Sequence, residues 1–292
     1  MPDYTCPWCR TVSDASAPSC PNCGAPIDLR EVTTDSGWIE LPPIKDMAKI
    51  QFGQSSCQIE GAYVPVADMS LAADDAVYFS HHVLLWKEPG VQLAPMAMKG
   101  GWKRIKAGMP LVMMQAQGPG HVAFSEDRPG EVIAFPLDPG QAVDVREHHF
   151  LVASNSVTYD WFNTNVWFRT KSGDDTETHY PLGNYMDRFS SPSAAGLLLL
   201  HAGGNTFLRQ LAPGETIFIK PPALLFKDPT VEMWLHFEHP GNPMASWGSW
   251  GNRYIWLAMR GPGRIAIQSS YGRLEDPGRS LSGASYNTTS QW

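Results

Sequence analysis

Four of the five cysteines fall in the first 23 residues, as Cys6-Pro-Trp-Cys9 and Cys20-Pro-Asn-Cys23. Two residues between paired thiolates allow a tight knuckle whose backbone amides point at sulfur, and two knuckles complete a tetrahedral site for zinc. The loop between the pairs is ten residues, shorter than in the commonest spacing, which fits a minimal zinc ribbon. Disulfides or a redox Cys-x-x-Cys are the competing uses. Zinc is preferred because a segment this short in a reducing compartment has no other means of folding. The expected metal ligands are therefore Cys6, Cys9, Cys20 and Cys23, holding one structural Zn²⁺ per chain. Cys57 stands alone and reads as a buried, inert thiol.

Histidine is the other residue type that can hold a metal, and the chain has nine. His81-His82 and His148-His149 occur in similar contexts, but neighbours on a strand point to opposite faces, so neither pair chelates from one strand. His236-Phe-Glu238 does place two ligand types on one face, with His239 just beyond. That supports a rival reading, a cupin-like metal enzyme built on duplicated β units. Against it stand histidines that are hydrogen-bonded or solvated at strand ends. The sequence has no Gly-x-Ser-x-Gly elbow, no phosphate-binding Gly-x-x-x-x-Gly-Lys and no Gly-x-Gly-x-x-Gly. Asp74-Asp75 and Asp174-Asp175 read as turns. No catalytic or cofactor-binding residue is named.

The elements that must carry these residues are strands. Hydrophobic residues make up 43% of 292 and charged residues only 17%, with 11 Trp, 12 Phe and 9 Tyr, while 26 Gly and 25 Pro supply turns. A formal charge of −7 disfavours general attraction to nucleic acid or an anionic membrane. The first 45 residues carry three basic against six acidic side chains, which turns the ribbon towards protein docking rather than nucleic acid. No signal peptide is evident and no apolar run reaches the length of a spanning helix, so the expectation is a cytoplasmic protein without a transmembrane segment.

The strongest internal signal is a repeat. Gly130-Glu-Val-Ile-Ala-Phe-Pro-Leu137 lies over Gly204-Asn-Thr-Phe-Leu-Arg-Gln-Leu211 at a spacing of 74, and the following turns are Leu137-Asp-Pro-Gly140 and Leu211-Ala-Pro-Gly214. In the same register Val143 and Val145 meet Ile217 and Ile219, and Phe150-Leu151 meets Leu224-Leu225. Ala76 to Leu84 resembles Ala142 to Leu151 with one residue of slack, which suggests a third, degraded copy. Gly118-Pro-Gly120 recurs as Gly261-Pro-Gly263, each opening an alternating strand. The expected organisation is a zinc ribbon at 1–28, a linker at 29–45, a duplicated all-β core at 46–275 and a loose tail at 276–292. The core is expected as an antiparallel β sandwich or barrel with internal pseudo-repeats. A hairpin is expected around Ser172–Asp175, and the Trp-rich loop 239–251 is a candidate partner surface.

The punctuation Gly100-Gly101, Gly108, Gly118-Pro-Gly120, Pro129-Gly130, Leu137-Asp-Pro-Gly140 and Phe150-Leu-Val-Ala153 resembles the mitochondrial-biogenesis (altered inheritance of mitochondria) family, over about residues 46–272. That family is similar in fold to the tryptophan RNA-binding attenuator protein. The resemblance implies internal pseudo-symmetry and self-association, and no reaction. The leading expectation is a non-enzymatic, homo-oligomerising scaffold or adaptor, with the ribbon or loop 239–251 offered to a protein partner. The metal-dependent enzyme is the alternative, and a nucleic-acid-binding adaptor is weaker still.

Overall fold

The computed structural model of the chain describes residues 3–96, 113–172, 174–238, 254–271 and 284–286. Among these there is no α-helix; strands and three short 3₁₀ turns form every element. The loop 239–251 and most of the tail lie outside the described residues.

The core is three copies of one six-stranded unit. The first comprises Val66–Leu71, Ala76–Ser80, Leu84–Lys87, Gln92–Pro95, Met113–Gln117 and Gly120–Phe124. The second comprises Glu131–Leu137, Ala142–Arg146, Phe150–Ser154, Thr158–Asn163, Tyr185–Ser190 and Gly196–Ala202. The third comprises Thr206–Leu211, Thr216–Ile219, Leu224–Lys227, Glu232–Glu238, Tyr254–Arg260 and Gly263–Gln268. In every unit the sixth strand pairs with the first and the third. The fifth strand likewise pairs with the second and the fourth. Each unit is thus two three-stranded sheets.

The likeness extends to an irregularity. Where the third strand meets the sixth, the register skips one residue of the third strand: Leu85, Leu151 and Leu225 in turn. A bulge bends and twists a strand, so the same bend is built three times. It also fixes the alignment of the first unit without slack. Ala76 and Leu84 precede Ala142 and Phe150 by the same interval, so His82 corresponds to His148 and Val83 to His149.

Units join by pairing the second strand of one with the third of the next. Phe79 opposes Val152 and Tyr78 opposes Ala153 at the first joint; Val145 opposes Phe226 and Asp144 opposes Lys227 at the second. Half-sheets from neighbouring units thereby merge into a six-stranded and a seven-stranded sheet, while a five-stranded and a three-stranded sheet stand at the two ends. The hairpin Ala48–Phe52 and Ser55–Glu60 widens the five-stranded sheet.

Strands near the middle of the merged sheets are covered on both faces. This explains why Gly196–Ala202, with four consecutive leucines, and Phe150–Ser154 lack alternation and are wholly buried. End strands keep the pattern, as Ala48–Phe52 does with buried and exposed residues in turn. Three apolar clusters fill the spaces between successive sheets. One contains Phe79 and Phe124, one Phe150 and Phe189, and one Met259 and Ile265.

The expected linker is more closely tied than a spacer. Ile39–Leu41 pairs with Thr206–Leu208 as the edge of the seven-stranded sheet, because Leu41 buries itself in the middle cluster. In the tail, Ala284–Tyr286 pairs with Phe168–Thr170. The expected hairpin forms from Phe168–Ser172 and Asp175–His179.

The second joint carries a buried charge cluster. Asp144, fully enclosed, accepts from Arg188 Nε at 2.6 Å and Nη2 at 2.9 Å, and from Lys227 Nζ at 3.0 Å. Lys227 Nζ also donates to Val231 O at 2.9 Å. Burial lowers the Lys227 pKa, against the pull of Asp144. Removing the carboxylate strands the ammonium in the core, so Asp144→Ala is expected to cost about 3–5 kcal/mol, read from denaturant unfolding. A loss below about 1 kcal/mol would show that the cluster is not needed to close the joint.

Candidate metal centre

The two cysteine pairs fold into matching knuckles. Arg10 N–H donates to Cys6 O and Gly24 N–H to Cys20 O; Cys6 N–H donates to Thr11 O and Cys20 N–H to Ala25 O. The residue after each second cysteine is left-handed, Arg10 at φ 61° and Gly24 at φ 78°. Glycine adopts that conformation freely and arginine at a cost, so the first knuckle carries the strain. Backbone amides at these reversals favour the thiolates: those of Cys9 and Trp8 act on Cys6, that of Thr11 on Cys9 and that of Ala25 on Cys23.

All four sulfurs are buried and lie within 4.8 Å of one another. Cys6 Sγ is 3.5 Å from Cys23 Sγ and Cys9 Sγ is 3.5 Å from Cys20 Sγ. Such separations exclude disulfides, which require about 2.0 Å. They approach the ~3.8 Å edge of a tetrahedron with ~2.3 Å metal–sulfur bonds. The thiols are electrostatically unequal: hydrogen bonds from Cys23 and then Cys6 lower Cys9, whereas sharing with Cys6 and Cys9 raises Cys23. Four thiolates cannot coexist here without a cation, and the cluster can hold a metal ion.

The ribbon is docked rather than pendant. Trp8 packs against two of the core clusters and shares a crevice with Cys23, Ala25, Leu41, Ile44 and Val132. Lys45 N–H donates to Cys23 O at 2.9 Å, Lys49 N–H to Asn22 Oδ1 at 3.0 Å, and Arg10 bonds Asp138 at 2.8 Å. Trp8 is the residue that the spacing of cysteines could not assign. Its position inside the first Cys-x-x-Cys was the available signal.

The histidines do not gather into a second centre; among the described residues the four cysteines form the one group able to ligate an ion. The His236 ring stacks on Phe218, with centroids 4.5 Å apart, and Glu238 accepts from Trp256 Nε1 at 2.7 Å. His239 lies outside the described residues. His82 faces Glu126 at 3.5 Å. Glu131 is a titratable group the sequence did not flag: it lines the cleft between 43–46 and the core, and burial raises its carboxyl to about 7.

His149 is held neutral. Its Nδ1 meets His201 O at 2.9 Å and its Nε2 faces Gln268 Nε2 at 3.3 Å, so the Nδ1–H tautomer satisfies both. Burial lowers its pKa to about 4. A depressed value means that its contribution is fully present above the ordinary ~6.5 and is lost as pH falls through 4. Unfolding free energy is expected to drop by about 2–3 kcal/mol over that window, and His149→Gln should flatten the drop in urea titrations at successive pH values. An unchanged slope would assign the acid sensitivity to other groups.

No curated protein matches this sequence. Among solved structures, a crystal structure of a Streptococcus pyogenes protein is similar at TM-score 0.54 and 18% identity, covering 75% of this chain and 94% of that one. The likeness concerns the fold. A family model described as mitochondrial biogenesis AIM24 matches residues 57–270, which spans all three units and the end of the hairpin ahead of them, and the chain belongs to that family.

Proposed function

We propose that the protein is a non-enzymatic, self-associating scaffold stiffened by a structural zinc ribbon. The observation that carries this reading is the threefold use of one unit with one kind of joint. The core is an array of like parts joined edge to edge, and the side chains at its joints are occupied in holding it together. Zinc is the metal of choice because four thiolates in a tetrahedral cage suit it, iron being the other ion that takes such a set. The ribbon spends its inner face on the core through Trp8, which leaves its outer face, where Val12 is exposed, for a protein partner.

Elemental analysis of the purified chain is expected to give one zinc per chain, lost in Cys23→Ser. Removing zinc with a chelator should release Trp8 and lower the melting temperature by roughly 5 °C or more. Iron in place of zinc, or no metal, would overturn the zinc assignment. Light scattering at micromolar concentration is expected to give a multiple of 32.2 kDa; a monomer would sink the scaffold reading.

A further inference from the structure

Two joints use the second strands of units one and two and the third strands of units two and three. The third strand of unit one, Leu84–Lys87, and the second strand of unit three, Thr216–Ile219, are left over. Each is the outermost strand of its sheet. Among the described residues neither edge is paired.

Their side chains have the character of joint residues and the exposure of a surface. The bulged leucine is 0% exposed in Leu151 and Leu225 but 56% exposed in Leu85. The next position is 0% in Val152 and 1% in Phe226, against 43% in Trp86. On the other edge, Tyr78 and Asp144 are 1% and 0% exposed, whereas Phe218 is 47% exposed. Trp256, on the neighbouring strand, is half-buried where the corresponding Met113 and Met186 are enclosed. Lys87 repeats Lys227: its Nζ donates to Glu88 O at 3.2 Å and Val91 O at 3.1 Å, as Lys227 Nζ does to Asp228 O at 3.3 Å and Val231 O at 2.9 Å. Lys227 is buried against Asp144, and Lys87 is exposed.

We propose that these two edges are the halves of a third joint completed between copies of this chain, Leu84–Lys87 of one pairing antiparallel with Thr216–Ile219 of the next. The inference rests on the scaffold reading and gives it a surface. Carrying the register of the internal joints across places Trp86 opposite Ile219 and Lys87 opposite Phe218 of the second copy. The two half-sheets then merge as the others do, and Leu85, Trp86 and Phe218 lose their exposure. Such pairing satisfies the open row of backbone donors and acceptors on each edge. Because the two surfaces differ, each copy keeps one edge free for a further copy, and the assembly is a closed ring or a filament according to the angle of the joint.

A charge exchange tests this. Phe218→Lys sets an ammonium opposite Lys87 and is expected to weaken self-association on the order of a hundredfold by sedimentation velocity. Lys87→Asp combined with Phe218→Lys restores an opposed pair like Asp144 and Lys227 and should recover the wild-type mass. Both positions are exposed in the single chain, so the variants should keep a cooperative unfolding transition, lowered only by the loss of the Phe218–His236 stacking and the Lys87 carbonyl bonds. As an independent measurement, chains carrying Trp86→Cys mixed with chains carrying Ile219→Cys should cross-link under oxidation, and chains carrying Tyr63→Cys in place of either should not. A wild-type assembly that survives Phe218→Lys and gives no 86-to-219 cross-link would overturn the edge joint while leaving the scaffold reading intact. A cross-link confined within one chain bearing both cysteines would show self-closure and overturn it too. A monomeric wild type would remove the reading and the inference together.

Discussion

A strand edge presents unpaired N–H and C=O groups that must find partners or stay in water, and the architecture depends on how each unit disposes of two such edges. Every unit has an edge on its second strand and another on its third. Pairing one with the other across units converts two small sandwiches, each too thin for a large core, into layers that share sheets. Phe150 illustrates the gain: within one strand it contacts Tyr78 of the preceding unit and Phe189 of its own, at 5.6 and 4.7 Å. The bulge at Leu85, Leu151 and Leu225 recurs directly before the residues that meet the neighbouring unit at the two joints, Val152 and Phe226.

The ribbon belongs to the same economy of surfaces. The first strand of unit two brings Val132 and Ala134 into the cluster that holds the cysteine knuckles, and Trp8 packs against it. With an ion in the cysteine cluster, as proposed, metal binding and docking would depend on each other. A ribbon without its ion has no fold with which to present Trp8, and a ribbon without the core would expose that indole to water. Ile39–Leu41 completes the attachment by joining the seven-stranded sheet.

Much of this was legible in the sequence, and the exceptions have physical causes. Spacing alone placed the four cysteines, because a knuckle is a local structure. The second and third units declared themselves through Asp-Pro-Gly140 and Ala-Pro-Gly214. The first unit makes the corresponding turn, Asp75 N–H to Ala72 O at 3.1 Å, where Gln141 bonds Asp138 at 3.0 Å and Glu215 bonds Ala212 at 3.0 Å. It does so with Ala-Ala-Asp-Asp, and since many residues satisfy such a turn, the copy read as degraded although its pairing is complete. Residues 39–41 looked like linker because three residues carry no periodicity. The cluster of Asp144, Arg188 and Lys227 was invisible, since its members lie 44 and 83 positions from Asp144 and meet only through the joint. An internal repeat shows which segments are alike; it does not show which will pair.

The divergence among the copies follows from that last point. One cross-strand position carries Tyr78 and Ala153 at the first joint, Asp144 and Lys227 at the second, and Lys87 and Phe218 at the two free edges. Identical joints would let any second strand take any third strand, and three tethered copies would fold into several registers. Unlike joints penalise the wrong matches: Asp144 against Ala153 would cost the buried carboxylate its bond to Lys227. The second joint can use a buried charge pair because the tether supplies the partner at high effective concentration. The two edges left unpaired among the described residues carry exposed side chains, and there a lysine is an asset of another kind. A charged side chain on an open edge resists pairing with strands that cannot accommodate it, so Lys87 keeps the exposed Leu85 and Trp86 from joining indiscriminately while still occupying the place that Lys227 fills inside the molecule.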